Sequence, residues 1–201
     1  MRNIPCSDKK FNLFYLRRVI YVFRRKNSTA KKVIQNLDGD IENLKVYLVQ
    51  DYNSNLLKRM VNFGLRIFGD LGMDEWGLVP QIRHGNVYML REESHKKIIG
   101  LAILMRDWED TYKCYLFDYA ISPDFHGQGL GFHFLKAVIE NVKEQGFSKM
   151  GLTVDVENKA AIKLYKDKIG FDIIDMNEDE YGEGHHRYIM NLDFSSLNYK
   201  K

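Results

Sequence analysis

Gly127, Gly129 and Gly131 stand between a strand signal and a helix signal, and no other feature constrains the chain as much. Upstream, Tyr115-Leu116-Phe117-Asp118-Tyr119-Ala120-Ile121 is an apolar and aromatic run that reads as a buried strand. Downstream, Leu135, Val138, Ile139 and Val142 recur at helical spacing until Gly146 supplies a stop. A strand, a glycine-rich turn and a helix aim unpaired backbone N–H groups and the positive end of a helix dipole at one point, and such a point binds phosphate. Glycine lets the backbone approach the anion with no Cβ in between.

Taken alone, the loop leaves several readings open. A nucleotide P-loop needs Lys and Ser or Thr after its last glycine, whereas Phe132 and His133 follow Gly131. A dinucleotide fingerprint needs a third glycine after Gly129 and Gly131, and Phe134 stands in its place. A turn with no ligand at all is the plain alternative.

The following residues narrow the choice. Gly151 to Val156 reads as a second strand, followed by Asn158-Lys159-Ala160-Ala161-Ile162-Lys163-Leu164-Tyr165 and then Gly170-Phe171. With Ile121-Ser122-Pro123 ahead of the loop, these pieces resemble the GNAT superfamily of acyl-CoA-dependent N-acyltransferases. Within it they are nearest in motif to ribosomal-protein alanine and N-terminal acetyltransferases. The family loop reads Gln/Arg-x-x-Gly-x-Gly/Ala, and its second signature reads Asn-x-x-Ala-x-x-Leu-Tyr-x-x-x-Gly-Phe. Here His126 replaces the Gln or Arg, and one extra residue separates Tyr165 from Gly170. The resemblance covers residues 44–194. It implies an α+β (mixed α/β) fold, a twisted, partly antiparallel sheet flanked by helices, with acetyl-CoA as cosubstrate and no metal.

The resemblance also assigns the donor site. The pyrophosphate falls to His126, Gly127, Gln128, Gly129, Leu130, Gly131 and Phe132. The pantetheine arm falls to Tyr119, Ala120 and Ile121, on one of two parallel strands that splay apart. Asn158 caps its helix, contacts the cosubstrate, or does both. Tyr165 holds the family's position for the acid that meets the departing thiolate, and a phenol of pKa about 10 is protonated at neutral pH. Helical spacing also puts it on a face with Ala161, Ile162 and Ile169, so a core tyrosine is the competing reading.

The acceptor's base is harder to find. Relatives carry Glu or His where this chain has Thr153, and Phe117 fills another family base position without any chemistry. Tyr115 matches a tyrosine that helps hold a water. Asp118 is the lone carboxylate of its run, but strand alternation places it opposite Tyr115, which reads as structural. Near the last strand, Glu180-Tyr181 stands where N-terminal acetyltransferases often carry Tyr-Tyr. With Trp76 these are the substrate candidates; for Glu180, as for Asp74 and Glu75, the competing reading is a solvated carboxylate.

Magnitude favours one acceptor class. A lysine-type amine of pKa about 10.4 costs on the order of 4–5 kcal/mol to deprotonate at pH 7, and an α-amine of about 7.7–8.0 costs only about 1 kcal/mol. A site without an evident strong base therefore suits a peptide or protein N-terminus, attacking the thioester directly. A small amine such as a polyamine, amino acid or aminoglycoside-like compound is the alternative acceptor. A non-catalytic acyl-CoA-binding module is the alternative class.

Composition bounds the rest. A chain of 201 residues supports one substantial core. Its longest apolar run, Ile98 to Met105, is far shorter than a membrane span, and no secretory signal is visible. Cys6 and Cys114 suit a reducing, cytoplasmic setting. Residues 1–43 hold ten Lys/Arg against four Asp/Glu, and the remainder 20 against 23. This basic extension reads as helical, with Leu13, Leu16, Ile20 and Phe23 on one face. It either contacts an anionic surface such as RNA or membrane, or packs on the domain with its arginines solvated. Residues 195–201 form a tail, and the expected assembly is a monomer or homodimer.

Overall fold

The computed structural model describes residues 31–37, 43–197 and 199. The amphipathic face Leu13 to Phe23 lies outside them. Five antiparallel strands come first in the sheet: β1 (Lys31–Leu37), β2 (Leu44–Val49), β3 (Asn86–Glu92), β4 (Lys97–Arg106) and β5 (Lys113–Ile121). A parallel step leads to β6 (Lys149–Asp155), and β8 (Arg187–Asp193) inserts between β6 and β7 (Asp172–Asn177). β1 corrects the expected helical extension over this stretch: Lys31–Leu37 pairs with β2, so the sheet begins before residue 44.

Helices cover both faces. α1 (Ser54–Phe68) and α2 (Glu75–His84) lie on one side, and α3 (Leu130–Glu144) on the other. A short stretch, α4, starts α-helical at Lys159–Ile162 and continues as a π-helix over Lys163–Ile169. Double coverage explains why β2, β3 and β4 are nearly continuous apolar runs rather than alternating ones. One core cluster joins Ala102, Leu104 and Leu116 to Phe134, Val138 and Ile139 of α3. The other joins Leu101, Ile103 and Ala120 to Met60 and Phe63 of α1 and to Leu78 and Ile82 of α2. None of the helices among the described residues is long and apolar enough to cross a membrane.

Local chemistry sets the helix ends. The Asn53 side chain accepts from the Leu56 N–H at 2.9 Å and starts α1. The glycine-punctuated stretch 69–80 contains the start of α2. Asp74 caps it by accepting from the Gly77 N–H at 2.9 Å, and Pro80 sits inside it. Gly77 and Pro80 read as breakers in sequence, but burial of Leu78 and Ile82 outweighs the lost N–H bond.

The extra residue after Tyr165 has a structural expression. The N–H groups of Gly170 and Phe171 both donate to the Tyr165 carbonyl at 2.9 Å, closing a wide π-type turn. One inserted residue in a helix is absorbed in this way. Phe171 packs back on the helix, its ring 5.8 Å from that of Tyr165.

Candidate active site

β5 and β6 begin as neighbours and then part. Their ladder consists of Lys113 opposite Lys149, Cys114 opposite Met150 and Tyr115 opposite Gly151. Beyond that point β5 stays paired with β4 as far as Ile121, and β6 stays paired with β8 as far as Asp155. The facing edges after Tyr115 and Gly151 therefore present backbone donors and acceptors across a widening splay, as an extended amide-bearing chain requires.

The far end of the splay leads into the glycine loop. Gly127 and Gly129 adopt left-handed φ values of 78° and 73°, and Gly129 is the N-cap of α3. At Gly127 a Cβ would meet nothing within 4 Å, so the requirement there is conformational rather than steric. Left-handed residues beside a helix N-terminus turn consecutive N–H groups to one side, a concavity that takes an anion. His126 uses its ring: Nε2 lies 3.0 Å from the Ile121 carbonyl, so it ties the loop back to the strand end. The Tyr119 side chain points away from the splay into the α3 side, where its hydroxyl donates to the Gly131 carbonyl. Burial raises its phenol pKa well above 10. Tyr119 thus offers backbone to the splay and braces the loop with its ring. Asn158 caps α4, accepting from the Ala161 N–H at 3.1 Å.

A second group of side chains gathers at the near end. The Tyr115 hydroxyl lies 3.1 Å from Thr153 Oγ1. Its pKa is raised, first by burial, with Thr153 opposing and Tyr181 adding. Tyr181, 61 % exposed, reaches over from the β7–β8 connection. Arg187, at the start of β8, lies 5.1 Å from the centre of the Tyr181 ring and donates to the Thr153 carbonyl at 3.2 Å. Its Nε is buried with no partner among the described residues. Arg187 was missed in sequence, where a cation opening a strand carries no signal of a contact 34 residues away.

Tyr165 enters from α4. Its ring meets Tyr119 edge-on at 6.4 Å. Burial raises its phenol pKa far above the ordinary value, the Asp118 charge adds to this, and the Arg187 charge opposes it. Both charges are thus within electrostatic reach of a buried phenol that stays protonated.

Asp118 requires a correction. Across β4, Leu116 pairs with Leu104 but Asp118 pairs with Ile103, so Phe117 is an extra residue, a β-bulge. The bulge resets the alternation after it. Tyr115, opposite Met105, and Asp118, opposite Ile103, share the α1/α2 face rather than lying on opposite ones. Burial pushes the Asp118 carboxyl up to about 6, against the Tyr119 backbone N–H.

The remaining candidates stand apart from this group. Glu180 is exposed and accepts from Asn177 Nδ2 at 2.6 Å. Trp76 is 88 % exposed in the first turn of α2, without a ring contact to another described residue. Burial lifts the Cys114 thiol to about 12, which keeps it inert.

A cradle at a helix N-terminus, reached along a splay between parallel strands, suits an extended ligand with an anionic end. The chain belongs to the acetyltransferase (GNAT) family, whose model matches residues 57–171. Over 66 residues it is 35% identical to the ribosomal protein bS18-alanine N-acetyltransferase of Escherichia coli, a stretch that is 33% of this chain and 44% of that protein. Over 58 residues it is 38% identical to the catalytic subunit of the N-terminal acetyltransferase A complex of Schizosaccharomyces pombe, covering 29% of this chain and 33% of that one. These matches span less than half the length of either relative. The crystal structure of the Escherichia coli ribosomal-protein-S18-alanine N-acetyltransferase superposes with a TM-score of 0.62 at 21% identity, covering 75% of this chain and 94% of that one. A GNAT acetyltransferase from Elizabethkingia anophelis with acetyl-CoA bound gives a TM-score of 0.57 at 16% identity, covering 76% and 99%.

Proposed function

We propose that the protein transfers an acetyl group from acetyl-CoA to the α-amine of a peptide or protein. The observation that carries this reading is the ending of the β5–β6 ladder at Tyr115 and Gly151, with an anion cradle beyond one end and the Tyr115–Thr153–Tyr181–Arg187 cluster at the other. Cradle N–H groups of residues 127–132 hold the pyrophosphate, and strand amides of residues 119–121 hold the pantetheine arm. The thioester carbonyl then lies near Tyr165, and a strand N–H stabilises its oxyanion.

Tyr165, protonated throughout the working range, donates its hydroxyl to the departing sulfur. Tyr115 and Thr153, joined at 3.1 Å, orient the acceptor or a water beside it. Tyr181, stacked on Arg187, forms a wall for the peptide backbone. The matched N-terminal and ribosomal-protein alanine acetyltransferases favour a polypeptide acceptor over a small amine. The test is release of CoA thiol from acetyl-CoA with peptides bearing free N-termini and, separately, with polyamines and aminoglycosides. Release with peptides supports the reading. Release with small amines alone contradicts it.

A further inference from the structure

On the two strands that splay apart, Thr153 and Phe117 cannot accept a proton at neutral pH, and the Tyr115 phenol, raised by burial, stays protonated. Of the two charged groups whose fields reach the buried Tyr165 phenol, Arg187 is a cation and Asp118 is the anion. The bulge at Phe117 turns Asp118 to the α1/α2 face, the face of Tyr115, and its charge is felt by the Tyr165 phenol. A bulge beside a site re-aims a side chain in this manner.

We propose that Asp118, re-aimed by the Phe117 bulge, takes the proton from the acceptor ammonium before the amine attacks the thioester. This inference rests on the acetyltransferase reading above. The ammonium gives one proton to the Asp118 carboxylate, and the freed lone pair forms the C–N bond at the thioester carbon. The carbonyl pair moves to oxygen and returns, breaking the C–S bond and leaving its electrons on sulfur. Tyr165 gives its proton to that sulfur and regains one from the nitrogen of the adduct. Asp118 releases its proton to solvent, so the products are the acetamide, CoA thiol and one proton.

The surroundings suit the task. Ile103 faces Asp118 from β4, and α1 and α2 present Met60, Phe63, Leu78 and Ile82 to that face, all apolar. The titratable groups tied to it are Tyr165 from α4, which feels its charge, and Tyr115 on the same face of its own strand; Arg187 from β8 acts on the same Tyr165 phenol, and Tyr181 from the β7–β8 connection acts on Tyr115. With the carboxyl near 6, transfer from an α-ammonium is uphill by about a hundredfold. It is uphill by about ten-thousandfold from a lysine-type ammonium, and by a similar factor from an α-ammonium to an unperturbed carboxylate. The same residue therefore selects an α-amine.

Asp118→Asn is isosteric, and its test uses the full chain, acetyl-CoA and a short peptide with a free N-terminus between pH 6 and 9.5. We expect kcat/KM to fall about 30- to 100-fold at pH 7 and the deficit to shrink to a few-fold by pH 9, where the amine is already neutral. CoA affinity by calorimetry stays within twofold and the melting temperature does not drop. A variant that keeps a third or more of wild-type kcat/KM at pH 7, or loses the same factor at every pH, overturns the assignment of Asp118 alone. A wild-type protein that acetylates no amine overturns both this inference and the reading beneath it.

Discussion

The two ends of the site are built from different materials. The donor end is backbone, drawn from one run between Tyr119 and Phe132 and shaped by two left-handed glycines. The acceptor end is side chains: Tyr115 and Asp118 from β5, Thr153 from β6, Tyr165 from α4, Tyr181 from a connection and Arg187 from β8. A backbone cradle for the pyrophosphate, as proposed, serves a group common to every acyl-CoA, and its geometry tolerates most side-chain changes. An assembly of side chains from separate elements is free to diverge, and in the proposed reading the proton falls to Asp118 while Thr153 only orients. The difference predicts that binding of the donor and processing of the acceptor are separable by mutation.

Tyr165 is the strongest challenge to that separation, since it packs on Tyr119 of the donor strand and, in the proposed mechanism, protonates the departing sulfur. Tyr165→Phe should lower turnover on the order of 100- to 1,000-fold while CoA affinity, measured by calorimetry, stays within twofold. A parallel loss of CoA binding breaks the division. Gly129→Val probes the other end. A β-branched residue is strained at φ 73°, so the cradle must distort, and CoA affinity should fall about 100-fold with the sheet intact by circular dichroism.

Asp118 sharpens the comparison through stability. Its carboxyl sits near 6 when folded and about 3.9 when unfolded, so the folded state binds the proton more tightly. Stability associated with this group therefore falls as pH rises from about 4 to 6, and the cost stays in full above that range. Asp118→Asn should stabilise the protein at pH 7 by on the order of 2 kcal/mol in urea unfolding, and by almost nothing at pH 4. A buried carboxylate that costs stability at neutral pH is a candidate working group, and the pH dependence of Asp118→Asn decides it. Arg187→Gln is expected to act least. Losing its cation–π contact with Tyr181 should raise the peptide KM about tenfold and leave the CoA affinity unchanged.

The same contrast explains what was legible from residues alone. The cradle, the Asn53 and Asn158 caps and the strand before the loop are local features, and a sequence displays them directly. The inserted residue after Tyr165 was countable, though its π-turn was not. The acceptor end was hidden because its contacts span long separations, as between Thr153 and Arg187. The face of Asp118 was misread because one bulge residue inverts an alternation that is otherwise reliable. α2 was hidden behind Gly77 and Pro80, whose local signals yield to the burial of Leu78 and Ile82. β1 was masked by the basic composition around it and became visible only through its pairing with β2.

The most direct test offers the protein one peptide carrying both a free N-terminus and an internal lysine, with acetyl-CoA, and locates the added acetyl group by mass spectrometry. The account predicts acetylation at the α-amine, with the lysine modified at least 100-fold more slowly at pH 7. Acetylation centred on the lysine, or none on either amine, would contradict it.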